Sequence, residues 1–103
     1  MVALYTAPDR ECFFFGGHDY TGEKHTTAGG QECDSWSDHT DVSFVKDINF
    51  SDGSVEKAGN KCRNPDVPFQ DGVWCYVNGK REMCDVPKCP GKENIYIFIH
   101  QNN

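Results

Sequence analysis

Six cysteines in a chain of 103 residues constrain the fold more than any other feature of this sequence. They stand at Cys12, Cys33, Cys62, Cys75, Cys84 and Cys89. Zinc fingers and ribbons need close ligand pairs such as C-x-x-C or a matching H-x-x-x-H, and these cysteines form no such pair. We therefore expect three disulfides, each contributing about 2–4 kcal/mol. Disulfides indicate a secreted or extracellular protein.

The apolar residues are too few for a large core. Hydrophobic residues make up 37% of the chain, and that share includes the six cysteines, two Trp, four Tyr and seven Phe. Aliphatic side chains are therefore scarce, which disfavours a helical bundle and makes covalent crosslinks necessary. The length fits one domain.

The charge of the chain excludes some classes of partner. Ten Lys and Arg stand against sixteen Asp and Glu, for a net charge of −6, and the cations form no basic run. Nucleic acid and anionic membrane surfaces are therefore poor partners. No apolar run approaches the ~18 residues of a membrane span. Residues 1–5 lack the basic region of a signal peptide, so we expect a processed chain.

Turn-forming residues recur at short intervals and leave room only for loops and short strands. The strongest local signal is Asn78-Gly79 between residues 73–77 and 80–84. Both residues of this pair readily take the positive φ angles of a type I′ turn, which predicts a β-hairpin. The fold class predicted is small and disulfide-rich, mostly irregular loops with short antiparallel β-strands.

The residues around the cysteines form a more specific pattern. They are Cys12, Tyr20, Gly22, Thr26-Thr27, Gly30, Cys33, Ser35-Trp36, Asn60, Cys62-Arg63-Asn64-Pro65-Asp66, Trp74-Cys75-Tyr76, Glu82, Cys84-Asp85-Val86-Pro87 and Cys89. With these residues, and with the spacing of its first three cysteines, the chain resembles a kringle domain over residues 12–89.

The resemblance implies a pairing that the sequence alone leaves open, since six cysteines permit fifteen connectivities. It implies Cys12 with Cys89, Cys33 with Cys75 and Cys62 with Cys84, in a kringle-like fold. Residues 1–11 are then an N-terminal extension with a possible short strand. Residues 90–103 are a C-terminal extension with a predicted strand at 95–99, either a core strand or an exposed sheet edge for a partner or second copy.

Kringles are recognition modules rather than enzymes, and many have a shallow groove for a lysine-like zwitterion. Such a groove needs a carboxylate pair, an aromatic floor and a basic group. The resemblance assigns Asp66 to the first carboxylate, but Pro68 stands at the second, and Asp71 in a longer loop is a candidate substitute. Trp74 and Tyr76 match the aromatic floor, although Trp74 could equally be a core residue.

The basic end of the groove matches at Lys46 and Lys80. Arg81 stands where a second groove tryptophan is expected, and its charge would repel an incoming ammonium. These departures favour a surface that binds protein without recognising free lysine. We therefore expect a receptor, protease or matrix protein as partner, with lysine-like small ligands bound weakly if at all.

Catalysis, metals and cofactors are not indicated. His18, His25, His39 and His100 lack the spacing of metal ligands and the third group that a catalytic base requires. Asp38, Asp41, Asp47 and Asp52 lack the alternating loop pattern of a calcium site and are interpreted as a solvated acidic face.

Two further hypotheses depend on local sequence. Asn49-Phe50-Ser51 is an N-glycosylation acceptor in a predicted surface loop. Residues 67–73 are the candidate reactive loop if the chain is instead a secreted effector, such as a toxin or protease inhibitor. Incubation with trypsin-like proteases separates that reading from a binding module, because an inhibitor removes protease activity stoichiometrically.

Overall fold

A computed structural model describes residues 11–67 and 69–90 of the chain. The predicted strand at 95–99, the weaker one near the N-terminus, and Pro68 lie outside the described residues. The following account concerns the described part alone.

Regular structure is sparse and local. Short 3₁₀ turns span Phe15–Gly17, Trp36–His39 and Asp47–Asn49, and one helical turn, α1, spans Val55–Ala58. The turn α1 begins where the Ser54 hydroxyl accepts a hydrogen bond from the Lys57 amide at 3.0 Å. It ends at Gly59, whose φ of 59° suits a residue without a Cβ.

The predicted hairpin is confirmed. Strand β1, Trp74–Val77, pairs antiparallel with strand β2, Lys80–Met83, in the register Trp74–Met83 to Val77–Lys80. Asn78 and Gly79 between them have φ of 53° and 80°. Two consecutive positive φ angles are those of a type I′ turn, whose twist matches the twist of the strands.

Three bridges hold these pieces together: Cys12–Cys89, Cys33–Cys75 and Cys62–Cys84. The pairing is the one that the resemblance implied. Two of the bridges anchor the hairpin to distant loops and pack against each other, with 3.8 Å between the Cys33 and Cys62 sulfurs. The third joins the ends of the domain, where Phe13 also pairs with Lys88 as an isolated parallel bridge.

The core is aromatic and surrounds the two inner bridges. Trp36 and Trp74 are 1% and 0% exposed, and their rings meet edge to face at 5.1 Å. Phe50 packs against Trp36 at 5.2 Å. The Trp36 indole donates to the Lys61 carbonyl at 2.7 Å, so its one polar group is satisfied. Both tryptophans are therefore core residues.

A buried ion pair fixes the loop before the hairpin. The Arg63 guanidinium donates from Nε and Nη2 to the Asp52 carboxylate at 2.8 and 2.9 Å. Its Nη1 donates to the carbonyls of Gly22 and Cys62. The side chains of Arg63 and Asp52 are 3% and 12% exposed. The interpretation of Asp52 as part of a solvated acidic face is therefore wrong, because its carboxylate neutralises a buried cation.

Candidate functional site

The hairpin presents an aromatic group beside the 66–72 loop. The Trp74 ring contacts the rings of Tyr76 at 5.1 Å and Phe44 at 6.0 Å, both near perpendicular. The Trp74 indole donates to the Asn64 side-chain oxygen at 3.0 Å, which fixes the orientation of the ring. Trp74 and Tyr76 thus lie together, and their role as the aromatic floor of a ligand groove stays a prediction.

Arg81 covers this floor. Its guanidinium carbon lies 3.9 Å from the centre of the Trp74 ring and 5.4 Å from that of Phe44. A cation within about 6 Å of an aromatic face is attracted by the ring quadrupole. Arg81 stands opposite Tyr76 in the hairpin register, so the strand pairing itself directs the side chain to this face.

Two oxygens hold the same guanidinium nitrogen. Arg81 Nη1 lies 3.0 Å from the Asp66 carboxylate and donates to the Gln70 side-chain oxygen at 3.0 Å. The side chains of Arg81 and Asp66 are 31% and 16% exposed, so the pair is partly shielded from water. The carboxylate assigned to a ligand ammonium is therefore already paired within the chain.

The structure changes the expected effect of Arg81. The sequence predicted a positive charge in the groove that repels an ammonium. Instead the charge is matched by Asp66, and the side chain lies on the indole face that a ligand's methylenes would need. A lysine-like ligand would have to displace Arg81 to reach either group.

The other charged residues predicted for the site have no contact with Arg81 that the structure shows among its described residues. Asp71 is paired with Lys88 at 3.9 Å, and both side chains are 72% exposed. Lys80 is exposed at the start of β2, and Lys46 is exposed before the Asp47–Asn49 turn. The roles of Asp71, Lys46 and Lys80 in ligand binding stay predictions.

Sequence reasoning missed four exposed apolar side chains near the groove, which we call together the apolar loop face: Phe15, Val67, Phe69 and Met83. Phe69 and Phe15 are 85% and 82% exposed. A Cβ built on Gly16 would lie 3.3 Å from a Val67 methyl, so the turn at Gly16 lies next to Val67. A Cβ built on Gly72 would lie 3.0 Å from the Met83 methyl, so the backbone at Gly72 lies next to the end of β2. Apolar residues in loops carry no sequence signal that separates exposed from buried.

Phe15 is exposed in an unusual backbone conformation. Its φ is 50°, in the left-handed region that bulky side chains rarely adopt. Such a conformation costs about 1–3 kcal/mol and is found where surrounding structure enforces it, frequently at functional surfaces. The adjoining Gly16 carbonyl is held by the Asn64 side chain at 2.8 Å and the Gly72 amide at 2.7 Å.

Two other predicted features have structural partners. The Asn49 side-chain amide, proposed as a glycosylation acceptor, donates to the Phe44 carbonyl at 2.8 Å. His39 lies 3.0 Å from the Asp34 carboxylate and packs against the Tyr76 ring at 4.5 Å. Glycosylation of Asn49 stays a prediction. In the described residues, no helix has the length and apolar character needed to cross a bilayer.

Comparison with known proteins agrees with this architecture. A family model described as the kringle domain matches residues 12–89. The chain is 34% identical over 102 residues to the tyrosine-protein kinase transmembrane receptor Ror of Drosophila melanogaster, covering 95% of this chain and 13% of the receptor. It is 32% identical over 87 residues to the tissue-type plasminogen activator of Bos taurus, covering 79% of this chain and 15% of the activator.

The match spans all six cysteines, the buried C-R-N-P segment and the W-C-Y strand. The chain covers only 13% of the receptor and 15% of the activator, so it corresponds to a small part of each of these relatives. Its sequence pattern, its three bridges and its hairpin agree with one another. The chain belongs to the kringle family.

Proposed function

We propose that this kringle domain is a non-catalytic, extracellular module that recognises a protein partner and does not bind free lysine. The observation that carries the proposal is Arg81, whose guanidinium lies 3.9 Å over Trp74 and 3.0 Å from Asp66. A groove filled by its own side chain leaves recognition to the surface around it. The partner we propose is a receptor, a protease or a matrix protein.

The proposed recognition surface combines the predicted site with the apolar loop face. Its charged and aromatic part is formed by Asp66, Asp71, Tyr76, Lys46, Lys80 and Arg81 above the buried Trp74, and its apolar part by Phe15, Val67, Phe69 and Met83. Protein interfaces concentrate binding energy in a few aromatic residues surrounded by polar ones. Exposed phenylalanines near charged side chains are typical of that arrangement.

Phe69 is the residue expected to contribute most to binding. It is 85% exposed and stands in a loop held in shape by hydrogen bonds from the Phe69 and Gln70 amides to the Asp66 carbonyl, at 2.9 and 3.0 Å. A side chain presented by an ordered loop loses little entropy on binding. We expect Phe69→Ala to weaken partner binding at least tenfold, since central aromatic contacts contribute about 2 kcal/mol or more.

The measurement is binding of the purified domain to a panel of secreted and cell-surface proteins by surface plasmon resonance. Ile48→Ala is the matched control, because Ile48 is 84% exposed but belongs to the Asp47–Asn49 turn outside the proposed surface. We expect saturable binding that Ile48→Ala leaves unchanged. An absence of saturable binding across the panel, or equal losses in both variants, contradicts the proposal.

The effector hypothesis is not favoured by family membership. It would assign function to residues 67–73 as a reactive loop directed at a protease. The same loop carries Phe69 of the proposed recognition surface. The two hypotheses therefore differ in whether binding inhibits a protease. Titration of trypsin-like proteases with the domain is expected to leave their activity intact.

A further inference from the structure

The domain exposes apolar side chains next to the point where its C-terminal segment begins. We propose that residues 95–99, Ile-Tyr-Ile-Phe-Ile, bind the apolar loop face of the same chain and cover Phe15 and Phe69. The inference rests on the proposed function in that it concerns the same recognition surface. It adds that a protein partner must displace a segment of the chain itself.

Contacts of the 66–72 loop bring the members of the apolar loop face together. The Gly72 amide donates to the Gly16 carbonyl at 2.7 Å, which joins the loop to the first 3₁₀ turn. The Gln70 side-chain amide donates to the Met83 sulfur at 3.5 Å, which joins the loop to the end of β2. The three segments therefore adjoin, and each contributes an exposed apolar side chain to the face.

The C-terminal segment leaves the domain beside this face. Lys88 pairs with Phe13 as an isolated parallel bridge. In a parallel pair both chains run in the same direction, so the chain after Lys88 advances as the chain does from Phe13 to Phe15. The Lys88 ammonium also lies 3.9 Å from the Asp71 carboxylate, which belongs to the same loop as Phe69.

The connection is long enough to reach the face. Residues 91–94 separate Pro90 from Ile95. An extended chain advances about 3.3 Å per residue, so the path from Pro90 to Ile95 spans up to about 17 Å. Phe15 stands two residues after Phe13, whose carbonyl accepts from the Cys89 amide at 2.8 Å. The exposed Phe15 ring therefore lies within the reach of the segment.

The segment and the face match in chemical character. Residues 95–99 are uncharged and consist of β-branched and aromatic residues, whereas residues 91–94 and 100–103 are polar apart from one glycine. An exposed apolar run of this kind pairs readily with other chains, so covering it is favourable. Asp66 and Asp71 at the border of the face are already paired with Arg81 and Lys88, so an uncharged segment leaves those ion pairs intact.

The tether favours the segment of the same chain over that of a second copy. A short flexible linker holds its end group at an effective concentration of about millimolar near the site. A second copy would have to reach a similar concentration in solution to compete. Binding in cis is therefore expected for the dilute chain.

The test is NMR spectroscopy of the whole chain at a concentration at which sedimentation shows a monomer. We expect nuclear Overhauser effects between methyl protons of residues 95–99 and ring protons of Phe15 or Phe69. A mixture of isotope-labelled and unlabelled chains separates contacts within one molecule from contacts between two. The effects should arise within one molecule.

A variant of the segment tests the same contact from the other side. Ile97→Asp/Phe98→Asp places a carboxylate on both faces of an extended segment, because successive side chains point in opposite directions. We expect loss of the Overhauser effects and shifted amide signals of Phe15 and Phe69. Gln101→Asp/Asn102→Asp is the matched control, since it adds the same charge beyond the segment and should retain the contacts.

A second variant changes the face instead of the segment. Phe69→Ala is expected to shift the methyl signals of residues 95–99. Ile48→Ala removes a side chain of similar exposure, 84% against 85%, outside the face and should leave those signals in place.

Three results would overturn the inference. The first is that the monomeric wild-type chain shows no Overhauser effect between residues 95–99 and the face. The second is that such effects arise only between two molecules, which would make the occupant a second copy. The third is that both aspartate variants lose the contacts equally. These measurements need no partner protein, so their failure is distinguishable from a failure of the proposed function in surface plasmon resonance.

Discussion

The double variant Cys33→Ala/Cys75→Ala is expected to be unfolded at about 37 °C, as commonly follows loss of a bridge from a small secreted domain. Its bridge closes a separation of 42 residues, for which restriction of the unfolded chain contributes about 4 kcal/mol. Both cysteines are buried, at 5% and 0% exposure, so the change also leaves a cavity in the core. Whole domains are stable by only about 5–15 kcal/mol, and a core-poor one stands near the lower limit.

The outer bridge makes an informative comparison. Cys12–Cys89 spans 77 residues, so loop entropy alone would rank it above the inner bridge. We nevertheless expect its loss to destabilise the domain less, because other contacts also join the ends of the domain. The Phe13 amide donates to the Pro87 carbonyl at 3.1 Å, and the Cys89 amide donates to the Phe13 carbonyl at 2.8 Å. We expect core packing to decide the order, since measured stabilities follow loop length only weakly.

Urea unfolding followed by tryptophan fluorescence measures this order. The Cys12→Ala/Cys89→Ala variant should show a folded baseline and a lower midpoint, while Cys33→Ala/Cys75→Ala should show no folded baseline at 37 °C, the temperature at which such losses are usually seen. If Cys33→Ala/Cys75→Ala proves more stable than Cys12→Ala/Cys89→Ala, the entropy of the unfolded chain outweighs the packing of the two central bridges.

Arg63→Ala is expected to lower the free energy of unfolding by about 3–5 kcal/mol, the usual result of removing one partner from a buried ion pair. The variant leaves the Asp52 carboxylate, 12% exposed, without its cation. It also removes donors from the Gly22 and Cys62 carbonyls, which Nη1 holds at 2.9 and 2.7 Å. The loss should appear in denaturant unfolding at neutral pH.

Lys61→Ala is the matched control. The Lys61 ammonium pairs with Glu23 at 3.4 Å, but the two side chains are 32% and 67% exposed, and such pairs contribute only about 0–1 kcal/mol. Similar losses in Arg63→Ala and Lys61→Ala would show that burial does not set the importance of the Arg63 pair.

Features with local causes were predictable from the sequence. The hairpin followed from Asn78-Gly79, because positive φ at two successive residues is a property of the dipeptide itself. The three bridges followed from the cysteine count once the resemblance supplied their pairing.

The closed groove was not predictable, because it depends on where a flexible side chain comes to rest. Sequence placed Arg81 in the groove and identified its charge, but whether that charge repels or is neutralised depends on Asp66 and Gln70 across the 66–72 loop. The exposure of Phe69 and the unusual φ of Phe15 likewise follow from packing between loops that are distant in sequence.

Titration of the wild-type domain with 6-aminohexanoic acid tests most directly whether Arg81 closes the groove. This lysine analogue needs the Asp66 carboxylate and the Trp74 face, both of which Arg81 contacts. We expect the NMR signals of Trp74 and Tyr76 to stay in place through low millimolar ligand. Saturable movement of both signals in that range would show an open lysine groove and contradict the account.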